Sequence, residues 1–340
     1  MRGSELSVGC ELCREGLKIP IFITGLCEYK CYYCPISRAR RRDVVFAGDK
    51  KVRSIEELVL EVARVDARGA GITGGEPLYR FDRTLRVVEA LKDLFGDRFH
   101  IHLYTNGRLA TAEVLRALER AGLDEIRFHP VEPGLERRAI LAKKLTSMDV
   151  GFEVPAIPGR ERQILELARL LHEAGGGFIN LNELEAAEPN IFALSALGLE
   201  PDESGVAVRG SREAALSVIR EIAELGLRIS IHFCSASFKT SVQDKLRYAR
   251  ALRADLQVYE RALSDYEVAW YEVELSDDCE VEELIEKGLV FRSESSGKLL
   301  SASLEHVPAK CVKRAKMLRG LPTHPRTVLE EVHVTYSGEI

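Results

Sequence analysis

The chain has 340 residues, 46% of them apolar and 30% charged, and a formal net charge of −5. That length allows one large or two modest domains with enough core to fold unaided, and the mild negative charge argues against general nucleic-acid binding. No apolar run reaches the roughly eighteen residues of a membrane span, and the N-terminus lacks the apolar stretch of a secretory signal, so the expected compartment is the cytoplasm.

The first feature in chain order is a Cys10-x2-Cys13 pair, within an N-terminal segment taken as residues 1–16. From residue 17 to 235, short strands alternate with amphipathic helices. Strands are expected at 18–24, 70–73, 99–104, 125–129, 151–155, 178–182 and 228–234. Helices are expected at 55–68, 81–94, 112–121, 135–145, 160–173 and 212–225. Repeated strand–helix–strand units predict an α/β fold with a right-handedly wound parallel sheet, a full or partial TIM-type barrel.

The strands have two chemically different faces. Phe99, Ile101 and Leu103 share one face, against His100, His102 and Tyr104 on the other. Ile126 and Phe128 oppose Arg127 and His129; Phe152 and Val154 oppose Glu153. Ile179 and Leu181 oppose Asn180 and Asn182; Ile229, Ile231 and Phe233 oppose His232 and Cys234. The apolar faces should meet the helices. The polar faces then line the barrel interior, and unpaired polar groups there are costly, which predicts a wet lumen that holds a ligand.

Residues 236–265 read as a connector with a helix at 239–253. Residues 266–340 read as a small second α/β domain. Its strands are expected at 266–275, 289–293, 298–303 and 327–336, and its helices at 280–287 and 308–319. The order βαββαβ predicts a ferredoxin-like domain, a fold that names no function.

Three of the eight cysteines fall between Cys27 and Cys34. In a reducing compartment, clustered thiols bind metal more often than they form disulfides. Two arrangements compete. Cys10, Cys13, Cys31 and Cys34 have the spacing of a four-cysteine structural zinc site, which would make the chain a zinc-stapled binding protein without catalysis. That arrangement leaves Cys27 and the later segment Gly74-Gly75-Glu76-Pro77 without a task. Alternatively, Cys27-x3-Cys31-x2-Cys34 acts as a unit on the loop after the first strand. It would hold three irons of a [4Fe–4S] cluster and leave the fourth open. Gly74 and Gly75 would then let backbone approach a ligand closely, and Glu76 would accept from a cationic amine.

Cys-x3-Cys-x2-Cys with Tyr33 before the last cysteine, followed by Gly-Gly-Glu-Pro, resembles the radical S-adenosylmethionine superfamily. The branch it resembles is the one related to pyruvate formate-lyase activating enzymes, including a mainly archaeal group. The resemblance covers about residues 17–235. It implies that Cys27, Cys31 and Cys34 bind the cluster and that the open iron chelates S-adenosylmethionine. It further implies that Gly74 to Pro77 recognise the methionyl amine and that a ferredoxin- or flavodoxin-type donor supplies an electron. Cleavage would give a 5′-deoxyadenosyl radical, which removes a substrate hydrogen. Tyr33 would shield the cluster near the adenine, Asn106 would lie near the ribose, and Glu153 with the backbone after it would border the cofactor. Asn180 and Asn182 would reach cofactor or substrate.

Other residues carry weaker signals. The chain has only four Asn, three Gln and three Met, so each retained asparagine is a better functional candidate than usual. Cys10, Cys13, Cys234 and His232 would suit a second site, for an auxiliary iron–sulfur cluster or zinc. Arg38, Arg40, Arg41, Arg42, Lys50, Lys51 and Arg53 surround the cysteine loop, opposed by Asp43 and Asp49. Such a run fits a phosphorylated metabolite or RNA, an acidic electron donor, or a solvated loop. The sequence does not choose among a protein, an RNA and a small metabolite as substrate.

Overall fold

A computed structural model describes residues 6–293 and 296–334. The ends of the chain and part of the turn expected between residues 293 and 298 lie outside the described residues, as do the last two positions of the strand expected at 327–336. The chain divides into two compact units, Met1–Val62 with Ala67–Asp244, and Ala63–Asp66 with Lys245–Ile340.

The first unit is built on one nine-stranded sheet. Its strands are β1 (Lys18–Phe22), β2 (Val45–Ala47), β3 (Lys50–Val52), β4 (Gly69–Thr73), β5 (His100–Thr105), β6 (Glu125–Phe128), β7 (Asp149–Ala156), β8 (Phe178–Glu183) and β9 (Ser230–Cys234). The spatial order is β3-β2-β1-β4-β5-β6-β7-β8-β9. From β1 through β4 to β9 every neighbouring pair is parallel, while β2 and β3 add an antiparallel hairpin at one edge. The open path makes this a partial barrel. The hairpin was not expected from the sequence, because three-residue strands carry almost no periodicity.

The helices that alternate with these strands are α1 (Val8–Arg14), α2 (Ile55–Arg64), α3 (Phe81–Phe95), α4 (Ala112–Arg120), α5 (Arg137–Leu145), α6 (Glu161–Glu173), α7 (Ile191–Ser195) and α8 (Ser211–Glu224). Thr111 caps α4 by accepting from Val114 N, and Ser7 caps α1 by accepting from Cys10 N. The outward sheet face is apolar and fully buried: Ile101, Leu103, Ile126, Phe128, Phe152, Ile179 and Leu181. Burying side chains of this size contributes about 1.5–3 kcal/mol each. The period-two alternation therefore decides which face the helices cover and leaves the polar set on the inner face.

The second unit contains a six-stranded sheet. It comprises β10 (Arg261–Ser264), β11 (Glu267–Leu275), β12 (Phe291–Arg292), β13 (Leu299–Ser301), β14 (Val312–Leu321) and β15 (Thr327–Val334), all paired antiparallel. The helix expected at 308–319 is a correction: it is a short 3-10 turn, Ala309–Cys311, followed by β14. The expected βαββαβ order therefore has a strand in place of its second helix. Val312, Ala315 and Leu318 recur at a helical spacing, but β14 is hydrogen-bonded along both sides, to β11 and β15. Pairing on two edges outweighs a local helical period. Cys279 and Cys311 form a disulfide in this unit.

Candidate active site at the strand ends

The carboxyl ends of β1, β4, β5, β6 and β7 bring together most of the residues singled out above. In parallel α/β sheets this edge is where ligands bind. Residues 23–37 after β1 form neither helix nor strand and carry Cys27, Cys31 and Cys34. All three cysteines are free thiols, Cys27 exposed and the other two half-buried. Main-chain bonds stitch this loop to the Gly74–Pro77 turn. Gly75 N donates to Thr24 O at 2.8 Å and Glu76 N to Leu26 O at 2.8 Å. The two glycines are required by that approach. A Cβ on Gly74 would lie 2.3 Å from Thr24 O, and one on Gly75 would lie 2.4 Å from Leu26 O. Gly74 also has φ +152°, outside the range favoured by other residues. The glycines thus also admit close backbone-to-backbone contact, which the sequence did not predict.

Glu76 is fully buried. Its Oε1 accepts from Leu78 N at 3.0 Å and Thr105 Oγ1 at 2.9 Å, and its Oε2 accepts from Asn106 N at 2.7 Å. Burial pushes its pKa up to about 7, against the pull of those donors. Three of the roughly four acceptor positions of a carboxylate are used, so Glu76 chiefly ties the β4 and β5 loops together. Asn106 makes an Asx turn, its Oδ1 accepting from Arg108 N at 2.8 Å. Asp43 anchors the far end of the cysteine loop. It accepts from Thr24 Oγ1, Arg80 and Arg83, and these bonds hold its pKa well below the carboxylate range. Sequence reasoning set Asp43 against the basic run around it, yet its partners lie on and beside α3. A cavity of about 400 Å³ lies beside the turn, with Phe22, Ile36, Arg40 and Gly74 in its wall.

The inner face carries a continuous polar network. Lys18 Nζ lies 2.7 Å from Nδ1 of both His100 and His102. His102 Nε2 is 3.0 Å from the Tyr104 hydroxyl, which accepts from Arg127 Nη1 at 3.4 Å. Arg127 also donates to Glu125 and, at 2.8 Å, to Glu153 Oε2. Asn180 Nδ2 and Asn182 Nδ2 donate to the two oxygens of Glu153, at 2.8 and 2.6 Å. Burial lowers the Lys18 pKa to about 7; burial and the Lys18 charge lower that of His100 to about 3. The polar lumen expected from the sequence is present, but its members mostly satisfy one another. Glu153, Asn180 and Asn182 are already paired.

Helix α1 brings Cys10 into this network. Cys10 Sγ donates to Asn180 Oδ1 at 3.3 Å and accepts from Arg127 Nη2 at 3.4 Å. Gly9 permits the approach, since a Cβ there would lie 2.6 Å from Arg127 Nη2. Burial raises the Cys10, Cys13 and Cys234 thiol pKa values. Among the described residues, no three His, Cys, Asp or Glu side chains gather as they would round a single metal ion. That is so for Cys10, Cys13, Cys234 and His232. It is equally so for Cys27, Cys31 and Cys34, each of which would hold an iron of its own.

Asn190 was missed by the sequence reading. Its Nδ2 donates to Tyr33 O at 2.9 Å and Glu185 O at 3.0 Å. The signal was available, since all four asparagines, 106, 180, 182 and 190, lie at this edge or on the inner face. Glu-Pro-Asn, however, reads locally as a turn.

Three free thiols on one loop, tied by main-chain bonds to a glycine turn at the carboxyl edge of a partial barrel, are the arrangement an iron–sulfur barrel enzyme would need. Three thiols are the donor set that a cubane cluster with one open iron would need. Residues 21–181 match the radical SAM superfamily. A Methanocaldococcus jannaschii protein with the provisional name glycyl-radical enzyme activating enzyme is 38% identical over 273 residues, 77% of this chain and 72% of that protein. A GTP 3′,8-cyclase of Limosilactobacillus fermentum is 32% identical over 111 residues, 32% of this chain and 31% of that one. The cobalamin- and [4Fe–4S]-bound structure of the radical S-adenosylmethionine methyltransferase TsrM from Kitasatospora setae covers 73% of this chain and 63% of its own, at TM-score 0.43 and 13% identity. That last likeness is too loose to argue from. The chain belongs to the radical SAM superfamily, whose cofactors are a [4Fe–4S] cluster and S-adenosylmethionine. No described helix is long and apolar enough to cross a membrane.

Proposed function

We propose that this enzyme reductively cleaves S-adenosylmethionine and takes a hydrogen atom from a partner protein, at a glycine Cα. Cys27, Cys31 and Cys34 would be the three cluster ligands. When bound, the cluster would supply one-electron reduction of the S-adenosylmethionine sulfonium, with methionine and, after hydrogen transfer from the substrate, 5′-deoxyadenosine as products. The chain's own part is to bind, orient and shield. The Gly74–Glu76 backbone, held at fixed distance from the cysteine loop, would receive the methionyl group. Asn106 and the β7 end, Glu153 to Ala156, would border the nucleoside. Arg38, Arg41, Arg42, Lys51 and Arg53 are exposed around the loop and would attract an acidic ferredoxin- or flavodoxin-type donor.

The observation that carries this reading is the pairing of a free three-thiol loop with the Gly-Gly-Glu-Pro turn through main-chain bonds. The relative's name supports the protein substrate. Nothing in the comparisons favours the zinc arrangement, and Cys10 is engaged on the inner face with Asn180 and Arg127. The test uses anaerobically reconstituted wild type and Cys31→Ala, with iron content and 5′-deoxyadenosine release under chemical reduction as readouts. Wild type should bind a four-iron centre and release 5′-deoxyadenosine, and the variant should lose both. A variant that assembles the full centre and cleaves at the wild-type rate overturns the assignment.

A further inference from the structure

His129 follows β6 directly, and its ring bridges two other elements. Its Nδ1 lies 2.9 Å from the main-chain oxygen of Glu153 on β7. A carbonyl can only accept, so Nδ1 carries the proton. Burial pushes the His129 pKa down and keeps the ring neutral, which leaves Nε2 as an acceptor. Nε2 lies 2.8 Å from the Tyr33 hydroxyl. Both bonds therefore have a fixed direction: Tyr33 donates to His129, and His129 donates to β7. The two rings meet edge to face, with centroids 5.7 Å apart.

The main chain of Tyr33 is held from another side. Asn190 is 1% exposed, and its two amide hydrogens go to Tyr33 O and Glu185 O. Its Oδ1 accepts from Ala187 N at 2.8 Å, so the side chain cannot turn without losing three bonds. Tyr32 and Tyr33 also pack against Ile157, Leu184, Leu194 and Val208.

We infer that His129 and Asn190 are positioning residues that clamp Tyr33 at its hydroxyl and its carbonyl, and through it fix the placement of Cys31 and Cys34. The reason is mechanical. Residues 23–37 have no ladder or helix of their own, and their main-chain ties to other segments fall at residues 23–26, so the stretch around Tyr33 takes its place largely from side-chain ties. Tyr33 lies between the two cysteines, and a shift of its backbone moves both. Solvent access and hydrogen bonding around the sulfur ligands set the behaviour of an iron–sulfur centre. The Tyr33 hydroxyl also hydrogen-bonds the Cys31 thiol, so its tie to His129 bears directly on one of the three cysteines.

The inference rests on Cys27, Cys31 and Cys34 being cluster ligands, and the experiment separates the two. Wild type is compared with Tyr33→Phe, His129→Leu, His129→Gln, Asn190→Ala and the Tyr33→Phe/His129→Leu double variant. Three readouts are taken: amide exchange of residues 27–41 in metal-free protein, the rate of iron loss to a chelator, and the electron paramagnetic resonance spectrum of the reduced centre. Tyr33→Phe and His129→Leu should each speed exchange and iron loss about fivefold, the weight of one neutral hydrogen bond. They should shift the spectrum alike, and the double variant should add nothing. His129→Gln, which keeps an acceptor, should recover most of the wild-type behaviour. Asn190→Ala drops three bonds and should reach about tenfold or more. Unchanged exchange and spectrum in Tyr33→Phe and His129→Leu, or additive effects in the double variant, would overturn the clamp. Should His129→Leu fail to fold, Tyr33→Phe removes a single oxygen and still decides. Wild type without iron would overturn the ligand assignment alone, and the exchange arm would still judge the clamp.

Discussion

The two units use the same residue types in opposite ways. All six free cysteines lie in the first unit, whereas Cys279 and Cys311 of the second are joined to each other. Charge is divided similarly. In the second unit most ion pairs sit on the surface, as in Lys298–Glu272, Lys313–Glu274 and Lys316–Glu331. Its buried exception is Arg326, which grips Glu260 at two points and also pairs with Asp255, a partner of Arg64. In the first unit a guanidinium 1% exposed is the hub of a network that spans β5 to β8. Surface pairs of the first kind are worth at most about 1 kcal/mol. A buried network is stable only while each member is paired, so it makes geometry strict and substitution expensive. The proposed cluster ligands sit in the unit whose thiols are not spent on one another.

The sharpest way to break this contrast is Arg127→Met. The change removes the partner of Glu125 and Glu153, both carboxylates of the inner face, and a donor to Tyr104. An uncompensated buried charge costs about 3–5 kcal/mol. The expected result is a fall in unfolding free energy of that size, measured by chemical denaturation of the first transition. A loss under about 1 kcal/mol would mean that the network is solvated like the surface pairs, and the distinction between the units would fail.

Much of the first unit was legible because its strands alternate strictly, and period-two patterning names both the helix-covered face and the polar one. Tyr104, Arg127, Glu153 and Asn180 could be assigned to one face from spacing alone. Their partners could not, since register across strands is not a local property: Asn180 lies opposite both Glu153 and His232. Reading unpaired polar residues as awaiting a ligand was therefore incomplete, because the missing partners were one another. The three-cysteine loop and the glycine turn were legible as motifs. That the glycines admit Thr24 O and Leu26 O, and that Glu76 bonds with Thr105 and Asn106, depends on contacts between loops. In the second unit, β14 was hidden by its own apolar spacing, and the disulfide joins residues 32 positions apart. Asn190 was hidden by distance: it acts on Tyr33, far back in the chain.

Next in size is Cys279→Ser. The disulfide closes a loop with a sequence separation of 32, for which chain entropy predicts about 3.7 kcal/mol. The variant should lower the stability of the second unit while leaving iron content and 5′-deoxyadenosine release at wild-type levels. Loss of iron in this variant would show that the thiols of the two units do not have separate tasks.

The smallest effect expected is a change of slope, at Lys18. Its ammonium is buried between His100 and His102, and its pKa is lowered to about 7 from 10.5 in the unfolded chain. Between those values the unfolded chain holds the proton and the folded one releases it, so stability rises with pH across that window. Below about pH 7 both states are protonated and the burial penalty is present in full. Each unit of pH is worth at most about 1.4 kcal/mol, so wild type should gain up to about 2 kcal/mol between pH 7 and pH 9 relative to Lys18→Met, measured by denaturant unfolding at fixed salt. Parallel curves for the two proteins would mean that Lys18 titrates as on the surface. The inner face would then be open to water at its first strand, and the line drawn between a strict interior and a solvated second unit would have to begin further along the sheet.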